Sequence, residues 1–188
     1  ASLASFHRRH RTVRFDVQIL GSLQQAAALR DARLDAAFLR SPASEPSLDS
    51  MVLMSEPLLA ALPARHRLAA RERVAISDLG AELFILPPRT AVPILHDLVL
   101  KLCRDAGFVP NVAHEIDHPS MVLGLVGAGI GVSLVPASAR RLRPRGVVLK
   151  RLRPSPRVLQ TALAWRRDPA SPLVSSFVEA VRPQWPGR

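Results

Sequence analysis

Short apolar runs of strand length alternate with amphipathic helical segments along most of this 188-residue chain. A run of four to eight apolar residues is typical of a strand that is buried on both faces, as in a parallel sheet. The runs at 34–39 (LDAAFL), 83–86 (LFIL) and 130–135 (IGVSLV) have this character. Consecutive parallel strands need a long crossover connection, which is usually a helix. The alternation therefore predicts an α/β fold with parallel sheets.

The first part of the chain predicts a parallel βαβ unit. Residues 3–10 have the pattern of the end of an amphipathic helix, and residues 13–19 (VRFDVQI) alternate as a strand does. Ser22, followed three residues later by Gln25, has the pattern of a capping box at the start of the next helix. With the apolar run at 34–39, the order is strand, helix, strand.

The rest of the chain continues the alternation of strands and helices. Further strands are expected within 51–62 (broken at Glu56–Pro57) and at 83–86, 109–115, 130–135 and 160–165, and helices at 64–70, 77–79, 90–106, 120–128 and 171–181. Two extended, proline-terminated segments, 58–63 and 148–154, are candidates for strands that cross between two lobes as a hinge.

Composition limits the kind of protein. Arginine supplies nearly all of a net charge of +11, concentrated in two basic stretches at 8–14 and 140–157. Surfaces for single-stranded nucleic acid interleave such charges with aromatic rings, which these stretches lack apart from Phe15. We therefore expect solvated surface there, with nucleic-acid binding as the alternative. Cys103 is the only cysteine, which excludes an internal disulfide and fits the cytoplasm. No apolar run is long enough to span a membrane.

Motifs that carry catalysis or hold cofactors are missing from the sequence. It has no nucleophile elbow, no zinc-protease motif and no phosphate-binding loop. Gly127, Gly129 and Gly131 follow a predicted helix and precede a strand, which is the reverse of a dinucleotide-binding motif. His114, Glu115, Asp117 and His118 are of metal-ligand types, but the two histidines would lie roughly 13 Å apart on an extended strand, and only a turn between them would let both reach one ion. The sequence predicts a protein that is not an enzyme, with no catalytic residue, cofactor or metal.

Six stretches resemble, in their order along the chain, the effector-binding domain of LysR-type transcriptional regulators. They are LRDARLDAAFLR (29–40), EPLLAALPARHRLA (56–69), LCRDAGFVPNVAHE (102–115), LGLVGAGIGVSLVPAS (123–138), GVVLKRL (146–152) and TALAWRR (161–167). The fourth is the most specific, and the resemblance covers nearly the whole chain.

The resemblance implies a fold like that of type 2 periplasmic binding proteins, with two lobes joined by two crossover strands. Lobe I would comprise residues 1–61 and 154–188, and lobe II residues 62–153. The family's N-terminal winged helix-turn-helix, its linker helix and its first strand have no counterpart here, so DNA would be bound only through that absent domain. The resemblance also implies a cytoplasmic protein that associates into dimers or tetramers. The alternative is a periplasmic solute-binding protein of the same fold.

The resemblance further implies that a small anionic metabolite, an organic acid, binds between the lobes. Ser22 stands where the family often places an effector-binding hydroxyl, and a helix N-terminus also attracts anions. Arg89 offers a guanidinium for a carboxylate. The full set of expected ligand-binding residues is Ser22, Leu39, Arg40, Pro88, Arg89, Thr90, His118 and Ser120.

Overall fold

The computed structural model describes residues 2–154, 159–167 and 171–182. The chain divides into two compact units, unit 1 (residues 1–55 and 160–188) and unit 2 (residues 56–159). The chain therefore passes from one unit to the other at Ser55–Glu56 and again at Leu159–Gln160. The two segments expected to cross, 58–63 and 148–154, lie inside unit 2.

The helices and strands are short, and most lie where the sequence predicts them. In chain order they are α1 (Ser2–Arg9), α2 (Ser22–Arg30), β1 (Ala36–Leu39), β2 (Leu48–Glu56), β3 (Leu58–Pro63), β4 (Arg73–Ala75), a 3-10 helix at Ile76–Leu79, β5 (Leu83–Leu86), α3 (Pro93–Asp105), β6 (Asn111–Glu115), α4 (Pro119–Gly127), β7 (Ser133–Pro136), a 3-10 helix at Ala137–Leu142, β8 (Val147–Arg153), β9 (Leu159–Arg166) and α5 (Pro172–Val181). None of the described helices is both long and apolar enough to cross a lipid bilayer.

Unit 1 is built on a three-stranded sheet in the order β1-β9-β2, with β1 antiparallel to β9. The end of α2 is tied to the entry of β1 by Arg166, whose guanidinium donates to the carbonyl oxygens of Leu29 and Leu34 at 3.0 and 2.9 Å. Phe6 on α1 meets Phe177 on α5 edge to face at 5.3 Å. One apolar cluster joins α2 to the sheet. Its buried residues come from α2, β1, β2 and β9 and are Leu29, Ala37, Leu39, Leu48 and Ala164.

The predicted strand at 13–19 is wrong, because the described chain shows no strand there. The alternating side chains Phe15, Val17 and Ile19 are 43%, 79% and 87% exposed. Alternation supplies an apolar face, but a strand also needs a neighbour for its N–H and C=O groups, and no described strand pairs with this segment. The parallel βαβ unit is therefore not formed in the described residues.

The predicted cap of α2 is also wrong by one residue. Gly21 occupies the N-cap position, and its N–H donates to Oε1 of Gln24 at 3.2 Å. Gln25 instead donates from Nε2 to the carbonyl oxygen of Leu20 at 2.7 Å. Ser22 is thus the first residue of the helix, and its hydroxyl does not cap it.

Unit 2 contains a four-stranded sheet in the order β4-β8-β3-β7 and a separate pair, β5-β6. β3 is antiparallel to β7 and β8, whereas β4–β8 and β5–β6 are parallel. The four-stranded sheet is therefore mixed, whereas β5 and β6 pair in the expected parallel direction. The largest core cluster of unit 2 includes Leu58, Leu62, Phe84 and Val99, all fully buried.

Two local predictions in unit 2 differ from the structure. Residues 64–70 form turns and not a helix, with the N–H of Leu68 bonded to Nδ1 of His66 at 3.1 Å. Such a local side-chain bond competes with helical hydrogen bonding. The strand β4 was not predicted, because three residues with one buried side chain, Val74, give no periodic signal.

The thiol of Cys103 is fully buried on the apolar face of α3, and burial raises its pKa from 9.0 to about 11. In the unfolded chain the thiol ionises near its ordinary pKa. The difference in pKa therefore contributes its full stabilisation of the folded state below about pH 9. This stabilisation is lost as the pH rises through the folded pKa of about 11. We expect urea-unfolding stability to fall over this interval and the fall to be smaller in Cys103→Ala. The chain contains no tyrosine, which limits competing titrations there. An equal fall in both proteins would contradict this assignment.

Candidate functional site

Two loops of unit 2 leave neighbouring parallel strands and lead into helices. β5 and β6 are paired with Leu86 opposite Glu115. The loop after β5 contains residues 88–90 and leads into α3, and the loop after β6 contains His118 and leads into α4, where Ser120 is in the first turn. Parallel strands end at one edge of a sheet, which is where open α/β folds bind ligands. The structure therefore brings these expected site residues to one edge.

The start of each helix at this edge is open to an acceptor. Val92 is the N-cap residue of α3 and His118 that of α4, and neither side chain makes a capping hydrogen bond. Each helix begins with a proline, Pro93 or Pro119, which has no N–H, so the first N–H group without an intrahelical partner is that of Ile94 or Ser120, and the helix dipole makes this end partly positive. The edge is therefore suited electrostatically to an anion.

His96 was not predicted as part of this site, yet it fixes the first loop. It is a buried residue of α3, 8% exposed, and its Nδ1 lies 2.8 Å from the carbonyl oxygen of Pro87. Nδ1 must carry the proton to donate to that carbonyl. The backbone is held again one residue later, where the carbonyl oxygen of Pro88 accepts from the N–H groups of Ala91 and Val92 at 3.0 and 3.1 Å. The sequence signal is the spacing, since His96 lies three residues before the apolar Val99 in the predicted helix.

Arg89 already has a carboxylate partner. Its Nε and Nη2 donate to the two carboxylate oxygens of Asp97 at 2.8 and 3.1 Å, and both side chains are exposed. The hydrogen bond and charge of Arg89 lower the pKa of Asp97, and Asp97 raises the pKa of Arg89. Arg89 therefore has the geometry for the expected bidentate binding of a carboxylate, since it already binds Asp97 in this way. A ligand would have to displace Asp97 or share the guanidinium with it.

In unit 1, Ser22 is half-buried in the first turn of α2. Its hydroxyl has no hydrogen-bond partner among the described residues. In the same turn, Oε1 of Gln25 is buried without a partner, and it is the one such side-chain atom in the described part of the chain. A buried acceptor without a donor is costly, so this atom is a further candidate for a ligand contact that the sequence did not reveal.

Leu39 and Arg40 lie at the end of β1. Leu39 is 5% exposed and packs in the core of unit 1, so its side chain is turned away from solvent. Arg40 is half-buried, and its Nη1 donates to Oγ1 of Thr161 at 3.2 Å. Leu39 is therefore a core residue, and its side chain is not available to a ligand.

Thr90, His118 and Ser120 are exposed side chains of unit 2. Within residues 2–154, 159–167 and 171–182, no group of three His, Cys, Asp or Glu side chains is placed to hold a metal ion. The acidic and histidine side chains around residues 114–118 therefore do not form a metal site among the described residues.

Residues 1–186 match the family model described as the LysR substrate binding domain. The chain is 30% identical over 173 residues to the HTH-type transcriptional regulator AlsR of Bacillus subtilis, covering 92% of this chain and 57% of AlsR. It is 33% identical to CatR of Pseudomonas putida, covering 87% of this chain and 56% of CatR. The chain thus spans a little more than half the length of these relatives.

Solved structures of LysR family proteins are also similar to this chain. The BenM effector binding domain with its effector benzoate superposes with a TM-score of 0.79 and 27% identity, covering 96% of this chain and 82% of that one. HinK, a LysR family transcriptional regulator from Pseudomonas aeruginosa, superposes with a TM-score of 0.84 and 26% identity, covering 98% and 64%. The fold is therefore that of LysR effector-binding domains, which is of the type 2 periplasmic-binding-protein kind.

Proposed function

This chain belongs to the LysR substrate-binding domain family, and on that basis we propose that it is the effector-sensing domain of a bacterial transcriptional regulator. The observation that carries the proposal is the family match over residues 1–186. A regulator is favoured over a periplasmic solute-binding protein because AlsR and CatR are both transcriptional regulators. The domain is proposed to work in the cytoplasm, with no catalytic step and no cofactor.

The proposed effector is a small organic acid. BenM, a structural neighbour, has benzoate as its effector. In this chain, the first-turn N–H groups that lack an intrahelical partner, the Ser22 hydroxyl, which has no partner among the described residues, and the Arg89 guanidinium all favour a negatively charged group. The proposed contact residues are Ser22, Arg40, Pro88, Arg89, Thr90, His118 and Ser120, with Gln25 added from the structure and Leu39 left out because its side chain is buried in the core.

The proposed mechanism is a shift between conformations. An effector that binds one arrangement of a protein more tightly than another moves the population toward the first. We propose units 1 and 2 as the two regulatory lobes whose arrangement responds. In the full regulator, dimer or tetramer contacts would pass this change to a separate DNA-binding domain.

The proposed contacts are tested by titrating benzoate into the wild-type chain and variants by calorimetry. Ser22→Ala and Arg89→Ala are each expected to weaken binding about tenfold or more, because a hydrogen bond to a charged group contributes roughly 1.5–3 kcal/mol. Arg71→Ala is the matched control, since Arg71 is also exposed and paired with an aspartate, Asp78, at 2.8 Å. Wild-type affinity in both site variants would refute these contacts, whereas no benzoate binding by any protein would direct the search to other acids.

Asp97→Asn is expected to tighten binding of the same acid by a few-fold. The substitution removes the carboxylate that occupies Arg89 and leaves a neutral side chain of nearly the same shape. Asp105→Asn, which breaks the exposed pair with Lys101, is the control and should leave affinity unchanged. The readout is the dissociation constant from the same calorimetry. Weaker binding in Asp97→Asn would show that the ion pair positions Arg89 for the effector and does not compete with it.

A further inference from the structure

A cavity of about 380 Å³ lies wholly within unit 2, away from the β5–β6 edge. Its apolar part is formed by buried side chains of β3 and β8, and its charged part by three arginines. The lining residues are Pro57, Leu58, Leu59, Arg73, Ala137, Arg140, Arg151 and Leu152. None of the proposed effector contacts is among them.

Strand register brings two of the arginines together. β4 and β8 are parallel with Arg73 directly opposite Arg151, and β3 and β8 are antiparallel with Leu59 opposite Arg151. The third, Arg140, comes from the 3-10 helix after β7, where its Nη2 donates to the carbonyl oxygen of Leu149 at 3.3 Å. The three guanidinium groups therefore come from separate segments of the chain.

The positive charge at this cavity is only partly balanced within the described chain. Arg73, Arg140 and Arg151 have no ion pair among the described residues, whereas the nearby Arg67 and Arg71 pair with Glu82 and Asp78. Residues 137–167 contain no aspartate or glutamate. The carboxylate of Glu56, next to Pro57, accepts from the backbone N–H and the hydroxyl of Ser138 and supplies one negative charge against the three positive charges of the arginines.

Keeping these charges together has a cost that an anion would remove. Arg73 and Arg151 are opposite each other on neighbouring parallel strands, and like charges at such short range repel each other. A guanidinium cannot lose its proton to relieve the repulsion. An anion with two or more charges, held by several guanidinium groups, would neutralise the cluster and gain charge-assisted hydrogen bonds.

We propose that this cavity is a second anion site, which binds a small organic molecule carrying at least two negative charges. Its volume is that of a small-molecule pocket. Pro57, which is exposed, and Ala137, which is half-buried, line the cavity beside the arginines and would contact the carbon skeleton. A concave site without aromatic rings suits such a molecule better than a nucleic-acid strand, which uses extended grooves and stacking.

The test is calorimetric titration of citrate and, separately, fructose 1,6-bisphosphate into the wild-type chain at constant ionic strength. We expect saturable binding of one molecule per chain, and the tighter of the two ligands identifies carboxylate or phosphate as the preferred group. Arg151→Gln is expected to weaken that binding about tenfold or more. Arg141→Gln is the control, because Arg141 is an exposed neighbour of Arg140 that does not line the cavity. Unliganded Arg151→Gln should unfold at the wild-type temperature or slightly above it, since it removes a repulsion.

Several results would overturn the proposal. One is no binding of either ligand, and another is an equal loss in Arg151→Gln and Arg141→Gln, which would indicate a diffuse basic surface. A third is displacement of the ligand by duplex DNA with a steep salt dependence, which would identify a nucleic-acid surface. Ser22→Ala and Arg89→Ala should leave this binding unchanged. A loss in those variants would place the ligand in the proposed effector site and remove the second site, while the effector proposal would stand.

Discussion

Replacing Phe84 with alanine is expected to lower the free energy of unfolding of unit 2 by about 3–5 kcal/mol, the usual cost of removing a buried aromatic ring. Phe84 is 0% exposed, and its ring lies 6.0 Å from that of Phe108. Its backbone is opposite Val112 on one side and bridged to Val132 on the other. Neighbours held on both sides cannot easily move inward to fill the space.

The measurement for Phe84→Ala is urea unfolding followed by far-ultraviolet circular dichroism. Leu83→Ala is the matched control, because Leu83 precedes Phe84 on β5 and is 44% exposed. We expect the control to lose less than about 1 kcal/mol, since surface substitutions have small effects. Equal losses in the two variants would contradict the placement of Phe84 at the centre of the unit 2 core.

Gly131→Ala is expected to cost about 3 kcal/mol, at the upper end for a side chain forced into a packed site. A Cβ at this position would lie 2.6 Å from the carbonyl oxygen of Leu83. That oxygen accepts from the N–H of Val132 at 2.8 Å, and the N–H of Ile85 donates back to Val132 O at 2.9 Å. The clash is with backbone, so the added methyl group must push these two segments apart.

Gly124→Ala provides the control for Gly131→Ala. Gly124 lies inside α4, and a Cβ there would meet nothing within 4 Å. Alanine in a helix is favoured over glycine by about 0.5–1 kcal/mol, so this variant should be more stable than the wild type. The same unfolding assay compares both. Destabilisation by both substitutions would show that the glycine-rich region is sensitive as a whole and that the contact with Leu83 is not the cause.

The predictions that succeeded rest on local patterns. The run LFIL gave β5 at its observed bounds, and Glu56–Pro57 separates β2 from β3 as predicted. The predictions that failed depend on distant partners. Apolar and polar residues alternate over 13–19 as in a strand, but strand pairing depends on residues that are distant in the sequence. The directions of β3, β7 and β8 depend on such distant residues too.

In the candidate site, too, local features were predictable from the sequence and contacts between distant residues were not. The positions of residues 88–90 and of His118 before helices were predictable from the sequence. The pairing of Arg89 with Asp97, eight residues apart across a loop and the first turn of α3, was not. The sequence also indicated a solvated surface for the basic stretch 140–157. The structure places Arg140 and Arg151 beside Arg73 at a cavity, which only strand register reveals, while Arg157 lies outside the described residues.

The central claim, that the chain senses a small organic acid, is tested most directly by thermal unfolding of the wild-type protein in a panel of aromatic acids, aliphatic carboxylates and neutral metabolites. A ligand at about 100 times its dissociation constant stabilises the folded state by roughly 2.7 kcal/mol, which raises the melting temperature by several degrees. We expect a saturable rise with one class of acid and none with neutral compounds. A cooperatively folded sample that no acid stabilises, or that neutral metabolites alone stabilise, would contradict the claim.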